Sequence, residues 1–364
     1  MPTEKQKWAE PLFEKRQINE AGDILRQTIL NTPQRKDAMV IVDNWRAAHA
    51  YPLHVFYMNL RDKASSNKSI IVAERLKRLE SIEKKLHREQ SMNLYRMQDI
   101  GGCRMILPSI DDVHKYSDMF MNSRIRHEFV NKKDYIKSPK ISGYRSLHLV
   151  YKYKSDLPNK KIYVDYPMRI ELQFRTHLQH IWATAIESLG LFLNQDLKAG
   201  DGDENIRRFF IVISSLFAMR EGEPIVPGTT NDQKELILEI KAIDKQHHIL
   251  DMLKAIKTVV DLDADTIPDK KGYYIMELNY QTKRLKRWFF KPSEIHLANG
   301  MYDHLEQKRD GKPLDIVMVR AKSYSMVKKA YPNYFMDIGE FVEIVEKYII
   351  SETYIDEIIP DGIQ

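Results

Sequence analysis

Residues 168–175 read Met-Arg-Ile-Glu-Leu-Gln-Phe-Arg, a strict two-residue alternation that predicts a half-buried β-strand. Met168, Ile170, Leu172 and Phe174 form the apolar face, and Arg169, Glu171, Gln173 and Arg175 the polar one. A glutamate between two arginines stays ionised, because adjacent cations favour its charged form. Such a carboxylate can hold Mg²⁺ or accept a proton; the plain alternative is a solvated, salt-bridged face. Residues 147–154 alternate in the same way, and 104–107 form a short apolar run between Gly101-Gly102 and Pro108, read as a buried strand. Helices are expected over 37–48 (behind an N-cap and proline at Thr32-Pro33), 72–88, 111–122, 176–193 and 206–219, with a loop over 61–68. Helices and strands interleave, which predicts an α+β fold with a mixed sheet flanked by helices.

Residues 221–231 hold two prolines, two glycines and two threonines, the composition of a linker. Two domains are therefore expected, 1–220 and 233–364, joined by 221–232. A length of 364 residues agrees with two units of roughly 100–200 each. The second half is predicted to hold a long helix (233–260), a hairpin (272–290), a helix (292–307), a strand (314–320) and two short helices (324–330 and 339–348). No run approaches the ~20 apolar residues that cross a bilayer, and Met1–Lys15 lacks the apolar core of a signal peptide. A cytoplasmic protein without a membrane partner is expected. Cys103 is the sole cysteine, so an intrachain disulfide and a cysteine-rich zinc site are excluded. The net charge of +6 suits a polyanionic partner, though many ordinary proteins carry as much.

Several constellations could carry chemistry. Asp99-Ile-Gly-Gly-Cys-Arg104 leads into the 104–107 strand, where glycines would let backbone approach a ligand and Asp99 could be a second oxygen ligand for a hard cation. A simple turn is the bland alternative, and no P-loop pattern is present. Within 72–88, Lys77, Ser81 and Lys85 recur every fourth residue, with Arg88 one step further and Arg75 just before. Such a cationic stripe is either a solvated face or a polyphosphate clamp. Lys140-Ile-Ser-Gly-Tyr144-Arg145-Ser-Leu-His148 is a turn running into a strand. It could stack Tyr144 on a nucleobase and offer Lys140, Arg145 and His148 to phosphate or ribose, or Tyr144 could simply be core. Tyr331-Pro-Asn-Tyr334-Phe335 reads, on its own, as core aromatics of a small domain. A basic stretch, Lys283-Arg284-Leu-Lys286-Arg287-Trp288, could touch nucleic-acid phosphates or be plain hairpin surface.

Four motifs in chain order, between Arg75 and Thr176, together resemble the nucleotidyltransferase-like synthetase domain of the RelA/SpoT family, over roughly residues 15–220. Arg75 to Arg88 is similar to that family's ATP-binding helix, 99–104 to the loop-strand with the metal aspartate, 143–148 to the acceptor loop, and Glu171-Leu-Gln173-Phe-Arg175-Thr176 to the strand with the second metal carboxylate. Glu74 departs from a glycine common in the family. The resemblance implies transfer of the β,γ-pyrophosphate of ATP to a ribose 3′-hydroxyl. Asp99 and Glu171 would hold Mg²⁺, and Glu171 would take the proton. Arg75 and Arg104 would sandwich adenine, while Lys77, Ser81, Lys85 and Arg88 neutralise the triphosphate. Tyr144 would stack on the acceptor base, catalytically essential, beside Lys140, Arg145, His148, Gln173 and Arg175. None of the twelve histidines is followed by aspartate, so the family's hydrolase pair is not expected.

The large C-terminal part looks like that of fused toxin–antitoxin synthetases of the CapRel type. That likeness implies a small α/β zinc-finger-like domain without zinc ligands, whose Tyr331 and Tyr334 fold over the ATP site and inhibit until a trigger, a phage protein, binds. The acceptor it implies is the 3′-terminal adenosine of tRNA, blocking translation. A small alarmone synthetase acting on GDP or GTP, transfer to ADP or ATP, and a non-catalytic nucleotide or RNA binder are the alternatives.

Overall fold

The computed structural model describes residues 8–27, 32–193, 195–256, 260–261, 267–308, 314–335 and 338–351. The expectations for residues 1–7, for the end of the long helix at 257–259 and for the C-terminal 352–364 lie outside them. In chain order the elements are α1 (Lys15–Leu25), α2 (Pro33–Ala48), α3 (Ala50–Lys63), β1 (Ile71–Leu76), α4 (Leu79–Arg88), β2 (Gly101–Leu107), α5 (Ile110–Met121), β3 (Glu128–Asp134), β4 (Leu147–Lys152), α6 (Lys161–Asp165), β5 (Arg169–Thr176), α7 (His177–Leu193) and α8 (Glu204–Arg220). There follow α9 (Gln233–His247), α10 (Ile249–Ile256), β6 (Val260–Asp261), β7 (Gly272–Asn279), β8 (Arg284–Phe290), α11 (Ile295–Lys308), β9 (Leu314–Ala321), α12 (Tyr324–Ala330) and α13 (Gly339–Ser351).

Among the described residues nine strands form one mixed sheet, ordered β3-β4-β5-β2-β1-β9-β7-β8-β6. β2 and β5 run parallel, Gly102 opposite Glu171 and Arg104 opposite Gln173. β1 lies antiparallel to β2, with Arg75 opposite Gly102 and Ala73 opposite Arg104. Side chains alternate along each strand, so Arg75, Arg104, Glu171, Gln173 and Arg175 share one face. The other face carries Val72, Cys103, Met105, Ile170 and Leu172 into a core beneath α1, α2 and α3.

The expected helix over 72–88 is two elements. Ile71–Leu76 is strand because β2 flanks it on one side and β9 on the other, while Leu79–Arg88 is helix, burying Leu79, Ile82 and Leu86. Cation spacing fits a helix across that whole stretch; neighbouring strands override it. The loop expected over 61–68 begins later, since α3 continues through Lys63. The long helix from 233 breaks at His248, which is left-handed at φ 52°, and Val260 lies in β6.

The sheet crosses the expected domain boundary. β9 continues it beyond β1, with Glu74 opposite Arg320 and Arg75 opposite Val319. One apolar core joins Ile186, Phe210, Phe217 and Ala73 to Val319, Tyr331, Phe341 and Tyr348. This core covers the sheet face that carries Glu171, so the C-terminal elements form the roof of that face.

Candidate active site

Asp99 precedes β2 and faces the start of α4. Its carboxylate bonds Lys77 Nζ at 2.8 Å and Lys85 Nζ at 2.9 Å. Burial would raise the Asp99 pKa, but the two ammonium groups outweigh it and hold the group well below the usual carboxylate range. Ser81 is half-buried on the same helix, and exposed Arg88 reaches Asp196 at 3.4 Å. Lys77 and Lys85 thus wall the groove at Asp99, whereas Arg88 pairs away from it with Asp196.

Glu171 projects from β5 into that groove. Its Oε1 is 3.0 Å from His148 Nδ1, and its Oε2 accepts from Gln173 Nε2 at 2.7 Å. The Tyr144 hydroxyl lies 3.0 Å from His148 Nε2, which completes a Tyr144–His148–Glu171 chain. Burial pushes the Glu171 pKa up and Asp99 adds to that, yet His148 and Gln173 bring it down to about 2. Lys85 is raised because, against its burial, it faces Asp99 first, then Glu89 and Glu171. Two carboxylates converging beside lysines offer hard oxygen donors that suit Mg²⁺, which fills the rest of its shell from water and phosphate oxygens. In this arrangement Lys77 and Lys85 occupy Asp99, so an ion would take their place.

Gly143 enables the turn that leads into β4. Its φ is +86°, and a Cβ there would lie 2.9 Å from the Trp182 ring and 3.1 Å from Ser214 Cβ. Tyr144 is only 6% exposed, with Lys140 Nζ 5.4 Å and Lys198 Nζ 4.8 Å from its ring centroid. Lys140 also lies 4.6 Å from the Tyr135 ring. Arg145 does not face the groove: its guanidinium donates to Ile136 O at 3.2 Å and to Pro224 O, fastening the turn to the segment before α9. Arg175 shares the face of Glu171 but is buried under α7 against His180. Neither arginine is available to an acceptor in this arrangement.

The space beside Arg75 and Arg104 is filled by the protein itself. The Tyr331 ring lies between two guanidinium groups, 5.9 Å from Arg75 and 5.6 Å from Arg104. Arg104 Nη1 also donates to Ala330 O at 3.2 Å. Tyr331 is 1% exposed; burial drives its hydroxyl pKa up to about 12 against the fields of both arginines. Tyr334 is buried beside this slot rather than in it, and its hydroxyl finds no hydrogen bond among the described residues.

Four groups escaped the sequence reading. Glu187 on α7 is held well below the carboxylate range, its burial outweighed by Lys198, Arg104 and Arg75. Lys198 pairs with it. His180 and Tyr135 complete the wall. Glu187 and Tyr135 belong to no spacing pattern, and Lys198 lies in a turn, so no local signal marks them. Two other expectations change. Gly101 serves packing, since a Cβ there would lie 2.7 Å from Ile170 Cδ1, whereas Gly102 has room. Of the basic hairpin stretch, Arg287 is buried and stacks 4.2 Å from the Tyr324 ring, leaving Arg284 and Lys286 at the surface.

Residues 74–190 match the family model described as a region found in RelA/SpoT proteins. The chain is 34% identical over 139 residues to the GTP pyrophosphokinase YwaC of Bacillus subtilis (strain 168), covering 36% of this chain and 62% of that protein. It is 36% identical over 121 residues to the GTP pyrophosphokinase YjbM of the same organism, covering 32% and 54%. The chain therefore spans about three fifths and about half of these relatives. Among solved structures, small alarmone synthetase 1 from Bacillus subtilis bound to its product pppGpp matches with 24% identity and a TM-score of 0.40, over 52% of this chain and 94% of that one. A GTP pyrophosphokinase family protein from Streptococcus pneumoniae matches with 23% identity and a TM-score of 0.39, over 53% and 91%.

Proposed function

From the premise that residues 74–190 carry the RelA/SpoT region, we propose that this chain is an ATP-dependent pyrophosphokinase acting on a guanosine nucleotide, with its donor slot closed by its own Tyr331. The observation that carries the reading is the convergence of Asp99 and Glu171 on a groove lined by Lys77 and Lys85. Polyphosphate transfer is chiefly a matter of positioning and charge neutralisation, and this groove supplies both.

Asp99 and Glu171 would hold Mg²⁺, which when bound neutralises charge on the transferring phosphates. Lys77, Lys85, Ser81 and Arg88 grip the triphosphate, and Arg75 and Arg104 take adenine in place of Tyr331. Glu171 accepts the proton of the acceptor 3′-hydroxyl, steadied by His148 and Gln173. The hydroxyl oxygen bonds to the β-phosphorus, the bond from that phosphorus to the α,β-bridging oxygen breaks, and AMP leaves. The relatives named as GTP pyrophosphokinases favour a guanosine nucleotide over the tRNA end expected from sequence. Whatever opens the chain must prefer the form with Tyr331 withdrawn.

The test is incubation with γ-³²P-ATP and, separately, GDP, GTP, ADP and tRNA, using the wild type and Tyr331→Ala. Label is expected on GDP and GTP, at least about tenfold faster in Tyr331→Ala. Glu171→Gln in that background should lose about 10²–10⁴-fold, the usual contribution of a positioned base. Label on tRNA alone would restore the tRNA reading; no label from Tyr331→Ala would refute transfer. Equal rates in the two proteins would refute self-closure.

A further inference from the structure

We propose that Lys198, latched by Glu187, is a displaceable cover on the acceptor-stacking face of Tyr144. The inference rests on the acceptor reading above and deepens it. Lys198 belongs to the 3₁₀ turn Leu197–Ala199, which follows α7. Buried Leu197 anchors this turn, and left-handed Gly200 (φ +94°) ends it. Its neighbours Leu197, Ala199 and Gly200 line a cavity of about 540 Å³ with Tyr135, Lys140 and Arg207, while Lys198 and Tyr144 lie behind that lining. There the Lys198 ammonium lies 4.8 Å from the Tyr144 ring centroid. A cation within about 6 Å of the centroid sits on the ring face, in the space a stacked base would need. The contact is comparable in strength to base–aromatic stacking, so a nucleobase can compete for the ring.

What keeps Lys198 there is Glu187. The two form an ion pair on a largely enclosed site, each side chain about a quarter exposed (25% and 24%). The groups facing Lys198 are otherwise cationic, Arg175 from β5 and Arg104 from β2, and both repel it. Without Glu187 the ammonium is held only by the Tyr144 ring, against the repulsion of both arginines. Glu187 also faces Arg104 and Arg75, the two walls of the donor slot. When an acceptor displaces Lys198, the carboxylate is left to those arginines, which links filling of the acceptor slot to the order of the donor slot. Tyr331 and Lys198 thus close the two slots from different parts of the chain, and Glu187 touches both arrangements.

Calorimetric titration of the full chain with GDP, without ATP, tests the cover apart from turnover. Lys198→Met should tighten GDP binding about three- to tenfold, and Lys198→Arg, which keeps the cation, should stay near the wild-type affinity. Should Lys198→Met fail to fold, Glu187→Gln unlatches the same lysine and should also tighten GDP binding. Unchanged or weaker binding in the uncovered variant, tightening in Lys198→Arg as well, or no GDP binding to any of them would overturn the proposal. Tightened binding without label transfer would count against the pyrophosphokinase reading and leave the cover standing.

Discussion

Single residues here owe their identity to contacts that differ in kind. Glu171 and Asp99 are legible as acids in a cationic setting, and the folded chain brings them to one groove. Glu74 faces the opposite side of the sheet, 5% exposed, with its Oε1 3.3 Å from His54 Nδ1, so it has no part in how α4 begins. The paired glycines divide by packing. A Cβ on Gly101 would press on Ile170 and lie 3.4 Å from Leu53 Cβ, whereas one on Gly102 meets nothing nearer than Glu171 O at 3.9 Å. Gly101→Ala is therefore expected to destabilise by about 1–3 kcal/mol, the cost of overpacking a close-packed site. Gly102→Ala should be close to neutral in the same urea unfolding curves. Equal effects of the two substitutions would contradict this division.

At the scale of elements, the contact between α2 and α11 is electrostatic. Arg46, 2% exposed, bonds Asp43 at 3.0 Å and reaches Asp303 at 3.5 Å, and its guanidinium lies 4.3 Å from the Tyr302 ring. Burial, then the neighbouring Asp43, raises the Asp303 pKa to about 7, with Arg46 opposing and Glu306 adding to the rise. A raised carboxyl pKa means the folded chain favours the protonated form. That contribution is complete below about pH 4, the unfolded value, and is lost as pH rises through 7. Relative to wild type, Asp303→Asn should therefore gain melting temperature progressively between pH 4 and 8. A difference that stays constant across that window would show that Asp303 titrates normally. The joint between β1 and β9 is short, Glu74 and Arg75 alone pairing with Arg320 and Val319. The packing of the C-terminal half against β1 must therefore draw on contacts beyond this ladder, among them Arg46 with Asp303 and Tyr331 with Arg75 and Arg104.

At the scale of the whole molecule, the two halves share a sheet and a core. Phe210 stacks on Phe341 with ring centroids 5.4 Å apart, and Phe217 lies 6.5 Å from Tyr348. Cutting the chain near Pro227, within the stretch whose composition reads as a linker, would strip these rings and leave the β1 edge unpaired. The fragment 1–227 is expected to bind a hydrophobic dye, melt lower than the full chain and associate. A monomeric fragment of unchanged stability would show that the shared core is dispensable. The amino-acid sequence by itself predicted strands over 147–154 and 168–175, found at 147–152 and 169–176, and presented four ordered motifs with Asp99 and Glu171 among them. Those signals are local: side-chain alternation and residue type within a few positions. Tertiary structure alone decided that 71–76 is a strand, that Arg145 and Arg175 turn inward, that Tyr331 rather than Tyr334 sits between the arginines, and that Glu187 and Lys198 reach the site. Each depends on which distant segment packs alongside, and burial, charge pairing and strand pairing across such distances leave no periodic trace along the chain.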